Sequence, residues 1–207
     1  MSKANLDELL IATRNKGKVR ELEALLSGLP VRLRSLQEFP QLGEVAETGA
    51  TFAENAALKA QTYARAAGVF TLADDSGLEV EALNGAPGIF SARYAGADAT
   101  DAERITRLLH ELDRTQDELR RARFVCVIAI ADSSGELLHV SEGVCAGGIA
   151  HAPSGDNGFG YDPIFIPDGY AQSFAELSAQ LKQQISHRAR ALKQARAFLQ
   201  TYSPNRL

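Results

Sequence analysis

Apolar residues recur along this chain with two periods, and the switch between them lays out the elements. The short run from Glu8 to Ala12 predicts a first strand, and Val19, Leu22, Leu25 and Leu26 then recur at helical spacing. Between them lies the turn Thr13-Arg14-Asn15-Lys16-Gly17. A loop rich in Pro, Gly and Glu follows, from Pro40 to Gly49. Thr51-Phe52-Ala53-Glu54 has the spacing of a capping box, and Phe52, Ala56, Ala60, Tyr63, Ala64 and Ala67 form the buried stripe of the helix it opens. Gly68 ends that helix. Val69–Asp74 then predicts one strand and Leu78–Leu83 another, the second because Leu78, Val80 and Ala82 alternate with Glu79 and Glu81.

Asn84 to Gly88 is a cluster of turn residues, and Thr100-Asp101-Ala102-Glu103 is a second capping box, ahead of Ile105, Leu108, Leu109 and Leu112. Phe124–Ala131 is almost continuously apolar, which predicts a strand covered on both faces. Asp132 to Gly135 turns it into a partner strand over Leu137–Cys145. A helix is expected over Ser173–Gln183, and Ser186 begins a last one carrying Ala189, Leu192, Ala195 and Leu199. Helices interspersed with strands, at least one hairpin among them, predict an α/β domain whose mixed sheet is flanked by helices.

Composition narrows the function. At 207 residues, 45% hydrophobic and 23% charged, the chain has the balance of an ordinary globular protein. A net charge of −4 argues against a protein that grips polymeric nucleic acid through its phosphates. Cys126 and Cys145 sit in apolar, strand-like surroundings without metal-ligand spacing, and read as buried thiols. The first ten residues lack a signal-peptide pattern, and no apolar run approaches the roughly 18 residues of a membrane span. The expectation is a cytoplasmic protein without membrane partners.

Four clusters carry candidate chemistry. Asp74 and Asp75 close an apolar strand, where an ionised carboxylate is costly without a partner. Alternation points the two apart: Asp74 falls on the face of Phe70 and Leu72, as a structural acceptor of backbone N–H groups, and Asp75 on that of Thr71 and Ala73, as a candidate ligand. An Asx turn into Ser76-Gly77 is the bland alternative. The turn Thr13 to Lys18 joins a strand to a helix start, where unpaired N–H groups and the lysines Lys16 and Lys18 suit an anion; a solvated basic turn is equally consistent. The glycine-rich stretch Gly155 to Pro163 carries Phe159, which could stack on a base or simply fill a core. Ser186-His187-Arg188, with Lys182 one turn before, offers hydrogen-bond donors at a helix start. Together these four make a coherent nucleotide site.

In order, the chain carries Thr13-x-Asn15-x-x-Lys18, Thr48-Gly49-x-Thr51-Phe52-x-Glu54-Asn55-Ala56-x-x-Lys59-Ala60, Asp74-Asp75-Ser76-Gly77-Leu78, Pro87 to Tyr94, Gly158 to Pro163, and Ser186-His187-Arg188. This set resembles the inosine/xanthosine triphosphate pyrophosphatase family, the Ham1-like enzymes, over nearly the whole chain. The resemblance implies magnesium-dependent hydrolysis of non-standard purine nucleoside triphosphates to the monophosphate and pyrophosphate. It also implies one domain over residues 1–207, built as two lobes around a nucleotide-binding cleft on an elongated mixed sheet, and a homodimer. By position, Thr13, Arg14, Asn15, Lys16, Gly17 and Lys18 would hold the triphosphate. Asp75 would be proton acceptor and metal ligand. Ser76, Phe159, Gly160, Tyr161, Asp162, Lys182, His187 and Arg188 would contact substrate. The second metal carboxylate is expected at Glu47, with Glu44 the neighbouring alternative. A pyrophosphatase for modified pyrimidine triphosphates or dUTP, and a nucleotide sensor without turnover, are the rival readings.

Overall fold

The computed structural model describes residues 6–115 and 120–202. Its strands are β1 (Glu8–Ile11), β2 (Arg32–Ser35), β3 (Phe70–Val80), β4 (Arg121–Ala131), β5 (Leu137–Ile149) and β6 (Phe165–Pro167). Its helices are α1 (Lys16–Leu26), α2 (Phe52–Ala67), α3 (Asp101–Leu112), α4 (Ala179–Ile185) and α5 (His187–Tyr202). The strands form one sheet in the order β2-β1-β3-β4-β5-β6. It is mixed: β1 runs parallel to both β2 and β3, with Leu9 opposite Leu33 and Phe70, while β5 and β6 are antiparallel. The α/β class expected from the pattern is the one found.

The chain packs as two compact units. One comprises the chain up to Asp75, Cys126–Glu142, and the chain from Arg190; the other comprises Ser76–Val125 and Gly143–Ala189. The core of the first joins Leu9, Ile11, Phe70 and Leu72 to Leu22 and Leu26 of α1 and to Leu192, Ala195 and Leu199 of α5. The core of the second gathers Leu78 and Val80, Ile105, Leu108 and Leu112 of α3, and Phe124, Phe165 and Phe174. Phe124 packs against both other rings, at 4.6 and 6.1 Å between centroids. Cys126 and Cys145 are buried thiols, as expected.

Caps account for the helix boundaries. Thr51 Oγ1 accepts from the Glu54 N–H, and Gly68 closes α2 in the left-handed conformation (φ 69°) that a side chain disfavours. Thr100 and Glu103 form a reciprocal capping box on α3.

Three expectations need correction. The two strands placed on either side of Ser76-Gly77 are one strand, β3, followed by a single 3-10 turn at Glu81–Leu83. Glycine and serine there read as a break, yet Gly77 and Leu78 are buried in the sheet and ladder pairing overrides the local turn preference. The Asx-turn alternative falls with that break. The helix expected from Ser173 starts only at Ala179, because Ser178 is its N-cap, accepting from the Leu181 N–H at 3.2 Å. Ser173 instead bonds the Ser154 carbonyl, and Phe174 and Leu177 enter the core from irregular chain. The short strands β2 and β6 were not anticipated.

Candidate active site

The two buried aspartates of β3 each take a lysine, and period-two alternation decides which. Asp74 shares its face with Phe70 and Leu72, the face that α1 covers, and the Lys18 ammonium of α1 lies 3.0 Å from it. Asp74 therefore takes part in an ion pair that the expected role as a backbone acceptor did not include. Asp75 faces the other way and meets Lys59 of α2 at 3.0 Å. Lys59 also holds Glu47 at 2.8 Å. Glu47 thus enters this cluster, while Glu44 is exposed.

Lys59 is a site residue to which the motifs assign no role. The signal was present: Asn55 and Lys59 lie four residues apart inside the stripe Phe52, Ala56, Ala60, Tyr63, and both are buried. A lysine on a core-facing stripe demands a buried anion. Burial pulls its ammonium down, but Asp75, Asp74 and Glu47 outweigh that, and its pKa is raised. Burial pushes the Asp75 carboxyl up; Lys59 and Lys18 pull it back only in part, and it stays above the ordinary value.

The phosphate-turn candidates divide. Asn15 caps α1, its Oδ1 accepting from the Gly17 and Lys18 N–H groups at 2.8 and 3.1 Å, so those two N–H groups already have a partner. The Thr13 hydroxyl accepts from the Asn15 N–H. Arg14 donates to the Leu42 carbonyl at 2.6 Å. Lys16, two residues from Lys18 and so on another side of the helix, lines a cavity of about 430 Å³ with Thr13, Arg14, Arg20 and Glu23. The structure does not bring Lys16 into the carboxylate cluster.

The second unit holds the other candidates. Arg188, buried, donates to the Ser76 hydroxyl at 2.8 Å. Its guanidinium lies 5.7 Å from the centroid of the half-buried Phe159 ring, and the Lys182 ammonium 4.9 Å from it. Asp162, buried, accepts from Lys182 and, at 2.8 Å, from the Phe159 N–H. A Cβ at Gly158, whose φ is +80°, would lie 2.1 Å from that carboxylate, so only glycine fits this approach. The Gly160 N–H donates to Asp101 at 2.7 Å, a support that the sequence reading missed. Tyr161 is a core residue: its hydroxyl donates to the Ser91 carbonyl, and burial raises its pKa. His187 stacks on Phe124 at 4.6 Å and 11°. Ser76, Phe159, Lys182 and Arg188 thus form one connected group, while Gly160, Tyr161 and Asp162 shape the loop beneath Phe159.

Comparison with known proteins bears directly on this arrangement. The sequence profile of the Ham1 family matches residues 9–198. The chain belongs to the Ham1 family. It is 51% identical over 187 residues to the dITP/XTP pyrophosphatase of Geobacillus kaustophilus, covering 90% of this chain and 91% of that one. It is 54% identical over 184 residues to that of Syntrophobacter fumaroxidans, covering 89% and 78%. Its fold is similar to a HAM1 protein from Coxiella burnetii, with a TM-score of 0.86, 45% identity, and 94% and 98% of the two chains covered.

The carboxylate cluster of this Ham1 chain suits a hard divalent cation. Asp75 Oδ2 is buried without a hydrogen-bond partner among the described residues, an expensive arrangement for a carboxylate oxygen unless something charged meets it. The ion pairs Lys18–Asp74, Lys59–Asp75 and Lys59–Glu47 bring three carboxylates close together. A magnesium ion takes oxygen ligands from one or two carboxylates and shares the rest between water and phosphates. Asp75 and Glu47 have the chemistry for it.

Proposed function

We propose that this protein hydrolyses non-standard purine nucleoside triphosphates (ITP, dITP and XTP) to the monophosphate and pyrophosphate, and so clears them from the precursor pool. The observation that carries the reading is Asp75, a buried carboxylate held on one oxygen by Lys59 and open on the other, beside Glu47. Asp75 and Glu47 would hold Mg2+, which when bound offsets charge on the phosphate chain and leaving group. Lys18 supplies positive charge to the same chain.

Water attacks the α-phosphorus, the bond to the bridging oxygen breaks, and pyrophosphate departs. Asp75 accepts the water's proton. In the metal-free protein, burial keeps its carboxyl above the ordinary value. Lys59 orients that carboxylate by occupying Oδ1.

By their motif positions, Phe159, His187 and Arg188 would recognise the base. Phe159 offers a partly exposed ring for stacking. Arg188 and His187 supply donors suited to the 6-oxo acceptor of hypoxanthine and xanthine; adenine's 6-amino donor would leave them facing another donor, which a dedicated site rejects by roughly 10⁴-fold. The protein works as a cytoplasmic homodimer in this reading, and among the described residues no helix is long and apolar enough to cross a membrane.

The test is pyrophosphate release from ITP, dITP, XTP, GTP, ATP and dUTP, with and without Mg2+. Turnover confined to the first three and abolished by EDTA supports the proposal. Preference for dUTP, or activity that survives EDTA, overturns it.

A further inference from the structure

The segment 42–50 has no regular secondary structure, yet side chains outside it fix its backbone at five points. Arg14, in the turn before α1, donates to the Leu42 carbonyl at 2.6 Å. Tyr63 of α2, itself buried, donates from its hydroxyl to the Gly43 carbonyl at 3.1 Å and accepts from the Val45 N–H at 3.3 Å. On the far side of Glu47, the Gly49 N–H donates to Asn55 and the Ala50 N–H to Glu54. Gly49 has no room for a side chain, since a Cβ would lie 2.8 Å from Asn55 Oδ1.

Glu47 is therefore suspended between two sets of pins. Backbone groups in a surface loop normally bond to water. Here an arginine and a buried phenol replace that water, and the carboxylate between the pins reaches Lys59 at 2.8 Å. We propose that Arg14 and Tyr63 are positioning residues that hold Glu47 in the carboxylate cluster, and that Arg14 serves this loop rather than the phosphates. Through Arg14, the turn that carries Lys18 and the loop that carries Glu47 are one mechanical unit. The proposal rests on the reading of Glu47 as a metal carboxylate.

The experiment compares R14M and Y63F with the wild type, and E47Q as a separate arm. Y63F keeps the buried ring and removes only the hydroxyl, so it remains informative if R14M folds poorly. Two readouts are taken: amide hydrogen exchange over residues 42–50 in metal-free protein, and the Mg2+ concentration for half-maximal turnover of ITP. Losing a charged or buried hydrogen bond should speed exchange about ten-fold. Half-maximal Mg2+ should rise roughly 10-fold or more, as for other residues that orient a metal ligand. At saturating Mg2+ the KM for ITP should stay within about two-fold of wild type, because neither side chain contributes uniform substrate binding. Unchanged exchange in both variants overturns the proposal. So does an R14M protein whose KM rises at saturating Mg2+ while its Mg2+ requirement stays put, which would make Arg14 a phosphate contact. If E47Q leaves the Mg2+ requirement unchanged, the reading of Glu47 fails. If E47Q raises it while R14M and Y63F do not, only the positioning role fails.

Discussion

Replacing Lys59 with Met removes one buried charge and keeps much of the side-chain volume. Its ammonium lies 2.8 Å from Glu47 and 3.0 Å from Asp75, so the two carboxylate oxygens are no more than 5.8 Å apart. Without the cation, their mutual repulsion at an effective dielectric near 20 is about 3 kcal/mol. That agrees with the roughly 3–5 kcal/mol lost when one partner of a buried pair is deleted. For a chain of this size, 3 kcal/mol corresponds to a fall in Tm of roughly 6–12 °C. The measurement is thermal unfolding followed by circular dichroism, in EDTA and again in saturating Mg2+. K59M should melt well below wild type in EDTA and recover much of the difference in Mg2+, because a divalent cation meets the same two carboxylates.

The pH dependence has a definite sign. Losing Lys59 removes the strongest charge that lowers the Asp75 pKa, so an already raised carboxyl rises further. As pH climbs above the unfolded value of 3.8, the unfolded chain releases that proton first, and the mutant's stability falls until the folded pKa is passed. The gap from wild type should therefore widen from mildly acidic to neutral pH. A K59M protein that melts with wild type in EDTA at neutral pH would refute the argument that this lysine holds two carboxylates together.

Asp75→Asn should cut kcat for ITP by roughly 10²–10⁴-fold, the usual contribution of a general base, while circular dichroism shows an unchanged fold. In the metal-free wild type, an NMR titration should find the Asp75 carboxyl protonating at a pH above its ordinary value of 3.8, because burial outweighs the pull of Lys59 and Lys18. Phe159→Leu should raise KM for ITP by roughly 10-fold with kcat nearly unchanged, since stacking is worth about 1–3 kcal/mol per base. Lys182→Met strands the buried Asp162 carboxylate and should destabilise the protein by roughly 3–5 kcal/mol, read as a lowered urea midpoint.

What the residues disclosed in advance follows from the range of the interactions involved. Capping boxes at Thr51 and Thr100 and the apolar run in β4 are local patterns, and the elements they announced exist. The assignment of Asp74 and Asp75 to opposite faces followed from alternation alone, and the two lysine partners bear it out. Lys18 was not legible as a partner, because it comes from a helix far away in sequence, whereas Lys59 announced a buried anion by its place on the core-facing stripe of α2. The same holds for Gly160, Tyr161 and Asp162. Their motif was visible, but the bonds to Asp101, Ser91 and Lys182 that fix their roles are long-range. Ser76-Gly77 misled for the opposite reason: a locally turn-prone pair was absorbed into a strand by its neighbours.

The twin ion pairs of β3 have a bearing on assembly as well as chemistry. Leu10 lies opposite Thr71 and Ile11 opposite Leu72, in parallel register. A slip of one position would turn every side chain of the strand over. Asp75 would then be driven toward the leucines under α1, and Phe70 and Leu72 toward Lys59. Two adjacent carboxylates, each answered by a base on its own side, act as a key that rejects a one-residue shift, so the strand that carries the reactive groups also guards against that misthreading.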